Sequence, residues 1–264
     1  MRDSFKENEM ISVIMSTYNR GKKISRSVES ILQQTVRDIE FIICDDCSTD
    51  DTYSTLQKIA KSDNRVKLIK NEHNMGLQKS LNRCLSQCNG DYIARMDDDD
   101  FSLPDRFETQ LKFLQDNPEY SFVGSNADEV FDDHSLVTDL PVHPDKFDLI
   151  KRNPYVHPSI MMRASVIQAV GGYSEAINHL RVEDYELWMR LYKNGYKGAN
   201  IKRPLVEYSK SFTNTKFLDR KNTIKLVHQY IFAFNLPVFY EYINVLTAAK
   251  LLVPAKLKRL IRLI

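Results

Sequence analysis

Four short apolar runs, 11–17, 39–44, 66–69 and 91–95, alternate with three stretches whose apolar residues recur every three or four positions. Ile24, Val28, Ile31 and Leu32 share one face of a helix, and so do Leu77, Leu81, Cys84, Leu85 and Cys88. Ser48 and Thr49 are plausible caps for a helix over 52–62, and Asn89-Gly90 closes the third helix. The run Ile39-Glu40-Phe41-Ile42-Ile43-Cys44 is almost wholly apolar, which suits a parallel strand buried on both faces. A β-α-β-α-β-α-β order of this kind predicts an α/β fold: a Rossmann-like, mostly parallel sheet flanked by helices. Parallel connection puts the strand ends at 16–19, 45–48 and 97–100 on one edge, where open α/β sheets bind ligands.

That edge is acidic. Asp97, Asp98, Asp99 and Asp100 follow the fourth strand directly. Adjacent carboxylates repel one another and contribute little to folding. They suit a hard divalent cation, Mg²⁺ or Mn²⁺, which takes a few protein oxygens and completes its shell with phosphates. Taken alone, the run is equally a solvated acidic turn. No Gly-x-Gly-x-x-Gly follows the first strand and no Walker A sequence occurs, so a nucleotide bound here needs a cation for its phosphates.

Beyond Pro104, a helix is expected to about residue 115, a strand over 121–130, and Pro-interrupted loops over the crevice across 132–158. A short strand (159–163), a short helix stopped by Gly171-Gly172, and a helix over 184–193 follow. Glu183 and Asp184 stand at the start of that last helix, where its dipole favours negative charge. From 215 the chain turns helical and aromatic. Its final segment puts Leu257, Leu260, Ile261 and Ile264 on one face and Lys256, Lys258, Arg259 and Arg262 on the other. Such a helix either lies on an anionic membrane surface or docks on the body with solvated lysines.

A formal net charge of +2 over 264 residues gives no argument for nucleic acid. Residues 1–9 are polar and no apolar run reaches membrane-spanning length, so the protein is expected in the cytosol, at most peripheral on the inner membrane face. Cys44 and Cys47 are spaced C-x-x-C, but Cys44 closes a buried strand and Cys84 and Cys88 lie on an apolar helix face. Cysteine in such places is a small hydrophobe rather than a zinc or disulfide ligand.

Four motifs, in order and at fitting intervals, resemble glycosyltransferase family 2. They are Val13-Ile14-Met15-Ser16-Thr17-Tyr18-Asn19, then Cys44-Asp45-Asp46-Cys47-Ser48-Thr49-Asp50, then Asp97-Asp98-Asp99-Asp100 with Leu103-Pro104-Asp105-Arg106, and Val182-Glu183-Asp184-Tyr185-Glu186-Leu187-Trp188. The resemblance runs from about residue 11 to 208 and is strongest with bacterial enzymes that build capsule, lipopolysaccharide or other surface glycans. Cys47 departs from the pattern, since the family usually has glycine there.

The resemblance implies a GT-A fold, with a catalytic domain over 1–214 and a C-terminal helical extension over 215–264. Within the domain, 10–104 would hold the nucleotide sugar and 105–214 the acceptor. It implies an inverting, metal-dependent hexosyltransferase that takes a nucleotide-diphosphate sugar, first of all a UDP-sugar, to a glycan or lipid-linked hydroxyl. GDP-mannose or dTDP-rhamnose is the alternative donor. A non-catalytic nucleotide-binding protein and a metal-dependent phosphohydrolase are the alternatives of other classes. The first conflicts with an intact Asp99 and Asp184, and the second lacks an obvious second metal set.

By the same resemblance Ser16, Thr17, Tyr18 and Asn19 grip the base, and Asp45 or Asp46 accepts the uracil imide N–H. Lys79 and Arg83 are weaker candidates for base or phosphate. Asp97 and Asp99 are the DxD acids: Asp99 ligates the cation, and Asp97 and Asp98 touch the ribose or a metal-bound water. Asp100 is a further ligand or a cap. Asp184 is the base, with Glu183 able to exchange roles. On the acceptor side, His157 is a donor or a structural residue, and Trp188 a sugar platform or core.

Overall fold

Residues 11–17 and 39–45 are buried at every position, and each run forms a strand: β1 (Ile11–Thr17) and β2 (Ile39–Asp45). The computed structural model describes residues 9–252, apart from 22, 132, 177–178 and 210–216. Among them β1 pairs in parallel with β2 and with β4 (Tyr92–Arg95), and β2 in parallel with β3 (Val66–Lys70). The returns are α1 (Ile24–Leu32), α2 (Thr52–Ser62) and α3 (Leu77–Leu85). Ile24, Val28 and Ile31 of the first and Leu81 and Cys84 of the third are buried as their spacing predicts. Asp51 rather than Ser48 or Thr49 precedes α2, and α3 stops at Ser86, before Asn89-Gly90, with Leu77 and Leu85 half-buried.

Alternation along the strands splits the core into two layers. Ile11, Val13 and Met15 pack with Ile24, Val28, Ile31 and Leu56, joined by Phe107 of α4 (Arg106–Asp116). Ile14, Ile42 and Cys44 point the other way, to Leu81 and Cys84 and on to Trp188 of α7 (Glu183–Lys193). All four cysteines are free thiols, and Cys44 and Cys84 are buried packing residues.

Beyond β4 the sheet changes direction. β8 (Met161–Arg163) pairs antiparallel with β4 and with β6 (Phe122–Val130). β9 (Gly198–Ser209) runs parallel to β6, and β5 (Phe101–Ser102) closes antiparallel on β9. The order is β3-β2-β1-β4-β8-β6-β9-β5, with β7 (Ser135–Val137) on β6. The long β9 was not expected. Lys202-Arg203-Pro204 breaks its apolar pattern, and its register against β6 slips around Asn126, where a proline can sit without a ladder bond. The stretch expected as loops also contains α5 (Lys146–Lys151), begun by a reciprocal capping box between Asp145 and Asp148.

α6 (Ala164–Ala169) ends at Gly171 and Gly172, both at positive φ. α8 (Phe217–Ala233) places Leu226, Val227, Tyr230 and Ile231 in the same core as Trp188, so the helical extension begins by docking on the body. α9 (Tyr242–Leu252) follows. The amphipathic segment 254–264 lies outside the described residues.

One buried cation joins the layers. Arg106, with no exposed surface, donates to Arg95 O at 2.8 Å, Ile160 O at 3.2 Å and Gln110 Oε1 at 2.9 Å. Burial, and then Arg95 nearby, lower its pKa to about 9. Arg106→Met keeps the volume but strands these acceptors. It is expected to cost about 3 kcal/mol, read from urea unfolding.

Candidate active site

The parallel register sets Thr17 beside Asp45, so the loops after β1 and β2 leave the sheet together. Asn19, at φ 55°, donates its N–H to Ser48 Oγ (3.0 Å) and accepts from Thr49 N (2.8 Å) on Oδ1. Arg20 N donates to Thr52 Oγ1 at 2.7 Å. Asn19 therefore sews the two loops together. Ser16 and Thr17 are buried beneath them, and Tyr18 is exposed at the rim.

The two acids after β2 have different surroundings. Asp46 Oδ1 accepts from Asn71 Nδ2 (2.6 Å) and Met75 N (2.7 Å), and its Oδ2 accepts from Gly76 N (2.8 Å). Both oxygens are thus used to hold the start of α3. Asp45 is fully buried; its Oδ2 accepts from Ser48 N at 3.1 Å and its Oδ1 has no protein partner. A buried orphan acceptor at a strand end is a place for a ligand donor. Next to them Cys47 adopts φ 63°, the left-handed conformation that favours glycine. Cys47→Gly is expected to gain up to about 1 kcal/mol of stability, checked by the urea midpoint.

Of the helical candidates, Lys79 is exposed on α3. Arg83 donates to Asn71 Oδ1 and to Lys70 O (3.3 Å), which ties it to the end of β3.

In the acid turn each carboxylate has its own situation. Asp97 pairs with Arg95, whose side chain is 3% exposed. Asp98 accepts from Arg20 Nε at 3.2 Å, and Asp99 pairs with Arg20 Nη2 at 3.1 Å. Burial lifts Asp98 to about 6 despite Arg20 and the Thr17 hydroxyl. Burial, then the Asp97 charge, also raise Asp99. Asp100 is fully buried, and burial, followed by Asp97, pushes it to about 9. Its Oδ1 accepts from Ser209 N at 2.8 Å, while Ser209 Oγ donates to Asp99 O at 2.6 Å. Asp100 thus anchors the turn to the end of β9.

These are hard oxygen donors, and Asp97 and Asp99 remain about a quarter exposed, at 27% and 25%. Among the described residues no group of three or more His, Cys, Asp or Glu side chains is arranged to hold a metal. Asp97 and Asp99 would offer a hard cation carboxylate oxygens and leave the rest of its shell to other ligands.

The other acids begin α7. Asp184 Oδ2 accepts from Asn153 Nδ2 at 2.8 Å, and Oδ1 from Tyr185 N at 2.7 Å. Burial raises its pKa, with these hydrogen bonds and Arg95 opposing. Burial, then the Asp184 charge, push Glu183 to about 7. Arg95 therefore acts on the acid turn and on the start of α7 alike.

His157 Nε2 meets Tyr173 Oη at 2.8 Å, and burial depresses its pKa far below the usual range, leaving it neutral. Trp188 has no exposed surface and stacks on Phe122 at 5.3 Å. It is a core residue with no face for a sugar. Asn153, Tyr173, Ser209 and the two arginines Arg20 and Arg95 are the site residues that the motifs did not point to. The one available signal was Arg95 itself, a charge closing an otherwise apolar strand.

A family model described as Glycosyl transferase family 2 matches residues 12–169. EpsE of Bacillus subtilis is 39% identical over 240 residues, spanning 88% of this chain and 86% of its own. The chain belongs to glycosyltransferase family 2. The UDP-Glc:α-D-GlcNAc-diphosphoundecaprenol β-1,3-glucosyltransferase WfaP of Escherichia coli is 30% identical over 192 residues, covering 73% of this chain and 74% of WfaP. In structure the chain is similar to residues 1–349 of TarS of S. aureus in complex with UDP, at TM-score 0.69 and 20% identity, over 89% of this chain and 69% of that TarS fragment. That likeness shows the fold, the GT-A fold expected from the motifs. This is a family 2 glycosyltransferase on a GT-A scaffold.

Proposed function

We propose that this glycosyltransferase moves a hexosyl group from a UDP-sugar to a hydroxyl of a lipid-linked or growing glycan acceptor in bacterial surface polysaccharide synthesis, with inversion at the anomeric carbon. The observation that carries this reading is the buried Arg95, which pairs with Asp97 on the acid turn and acts on Glu183 and Asp184 at the start of α7. In this reading donor acids and base face one crevice beside Arg95. The UDP in the TarS complex and the UDP-sugar and diphosphoundecaprenol acceptor in WfaP's name support the donor and acceptor classes.

In this reading the uracil imide N–H donates to Asp45 Oδ1, the oxygen that no protein donor reaches. Asp46 is the less suited of the two, since its oxygens already accept three donors. Ser16, Thr17 and Tyr18 frame the base, Asn19 fixes their loop, and Asp98 receives the ribose hydroxyls. A divalent cation would be held by Asp99, with Asp97 reached through water because Arg95 already neutralises it. When bound, it offsets the charge that grows on the departing diphosphate.

The acceptor oxygen attacks the anomeric carbon as the carbon–phosphate-oxygen bond breaks on the opposite side. Asp184 takes the hydroxyl proton. Asn153 keeps the receiving carboxylate in one orientation, and neutral His157 holds Tyr173 in the wall between base and acid turn.

Residues 10–104 would then be the donor half and 105–214 the acceptor half. No helix among the described residues is long and apolar enough to cross a membrane. A lipid-linked acceptor would be met at the surface, where Lys256, Lys258, Arg259 and Arg262 suit anionic headgroups.

The test is thermal unfolding with UDP, GDP and dTDP, each with Mn²⁺, Mg²⁺ or EDTA. UDP with a cation is expected to stabilise by about 2.7 kcal/mol at a hundred times Kd, a shift of roughly 5 °C or more. A larger shift with GDP, or the same shift in EDTA, would sink the donor or the cation assignment.

A further inference from the structure

Asp98 and Asp99 are held by a cation that the protein itself supplies. Arg20 reaches both, through Nε at 3.2 Å and Nη2 at 3.1 Å. The pair differs from Arg95–Asp97 in one respect. Arg95 is locked in the core at 3% side-chain exposure, whereas the Arg20 side chain is 41% exposed in the crevice.

Its backbone cannot follow. Arg20 N is fixed by Thr52 Oγ1, and Arg20 O accepts from Lys23 N (2.8 Å) and Ile24 N (3.0 Å) at the entrance to α1. Only the side-chain torsions are free to carry the guanidinium elsewhere.

We infer that Arg20 is a diphosphate-binding residue that stands in for the divalent cation while the donor is absent. This rests on the donor reading above. A guanidinium and a divalent cation compete for Asp99, because like charges a few ångströms apart repel. The same fork that fits a carboxylate fits a phosphate. With donor and cation both bound, Asp99 would hold the ion and the Arg20 guanidinium would be free to turn to the phosphate oxygens. When the ion comes alone, it must displace Arg20 with nothing to receive the guanidinium. Cation and nucleotide therefore bind with positive coupling, and the coupling runs through one side chain.

The test is Mn²⁺ binding followed by the EPR signal of the free ion, with and without saturating UDP. Wild-type protein is expected to bind Mn²⁺ weakly alone and much more tightly with UDP. Arg20→Met is expected to bind Mn²⁺ alone about tenfold more tightly and UDP in the presence of Mn²⁺ about tenfold more weakly, so that the mutual enhancement collapses. Arg20→Lys keeps the charge and loses the fork, so Mn²⁺ alone stays near wild type while UDP weakens.

Unchanged or weaker Mn²⁺ binding in Arg20→Met without nucleotide overturns the role of Arg20, as does UDP binding in Arg20→Lys equal to wild type. Wild-type protein whose Mn²⁺ affinity ignores UDP overturns the donor reading itself, and the Arg20 assignment with it.

Discussion

Asp184→Asn is expected to bind the nucleotide sugar as the wild type does and to turn over about a thousandfold more slowly. The amide keeps the shape of the side chain and can still meet Asn153, but it has no basic oxygen to receive the acceptor's proton. Donor binding is separated from it by the crevice, so cation-dependent UDP stabilisation should survive. Glu183→Gln is the matched control: it removes a neighbouring negative charge and keeps the base.

The pH dependence distinguishes the pair. Burial lifts Asp184 above the ordinary carboxylate range, so turnover should rise with pH as Asp184 ionises. Without the Glu183 charge, ionisation becomes easier and that rising limb moves to lower pH. Stability follows a separate sign. Glu183 at about 7 when folded, against an ordinary 4.5, holds an extra proton in the native state between those values. Stability should therefore fall as pH climbs from 4.5 to 7, and Glu183→Gln should flatten that fall. A kcat for Asp184→Asn within tenfold of wild type would reject the base assignment.

Asp99→Ala is expected to abolish the cation-dependent part of donor binding, a loss of about a hundredfold or more in UDP affinity measured calorimetrically in Mn²⁺. Its partner Asp98 keeps Arg20, and Asp97 keeps Arg95, so the turn should hold its shape. The circular dichroism of the variant should match wild type. In EDTA the variant should bind UDP at least as well as the wild type, since Arg20 loses one of its two carboxylates. A variant that still needs Mn²⁺ for donor binding would move the cation site to another carboxylate.

Much of the donor side was legible in the sequence because it is built from local rules. Each parallel strand is apolar until it reaches the sheet edge, and there the polar motifs begin: Ser16 to Asn19, Asp45 to Ser48, Asp97 to Asp100. Strand spacing alone brought these together. What could not be read is what long-range packing decides. Asp45 and Asp46 look alike in sequence, yet the amides of Met75 and Gly76 fill only the second. Nothing in the chain marks Asn153 as the partner of Asp184, thirty-one positions on. Ser209, which anchors Asp100, ends a strand disguised by Lys202-Arg203-Pro204. Trp188 had two readings because a helical aromatic one turn from an acid serves core or sugar equally well, and only its burial separates them.

The two guanidiniums beside the acid turn lie on opposite sides of a solvent boundary. Dissolved ions screen exposed charges within about 8 Å at physiological ionic strength and leave buried pairs nearly untouched. Added potassium chloride should therefore loosen the hold of the exposed Arg20 on Asp98 and Asp99 more than that of the buried Arg95 on Asp97. Simple salt and divalent metal pull on the same two carboxylates, so the ionic strength of the buffer sets how often the empty enzyme presents an open acid turn.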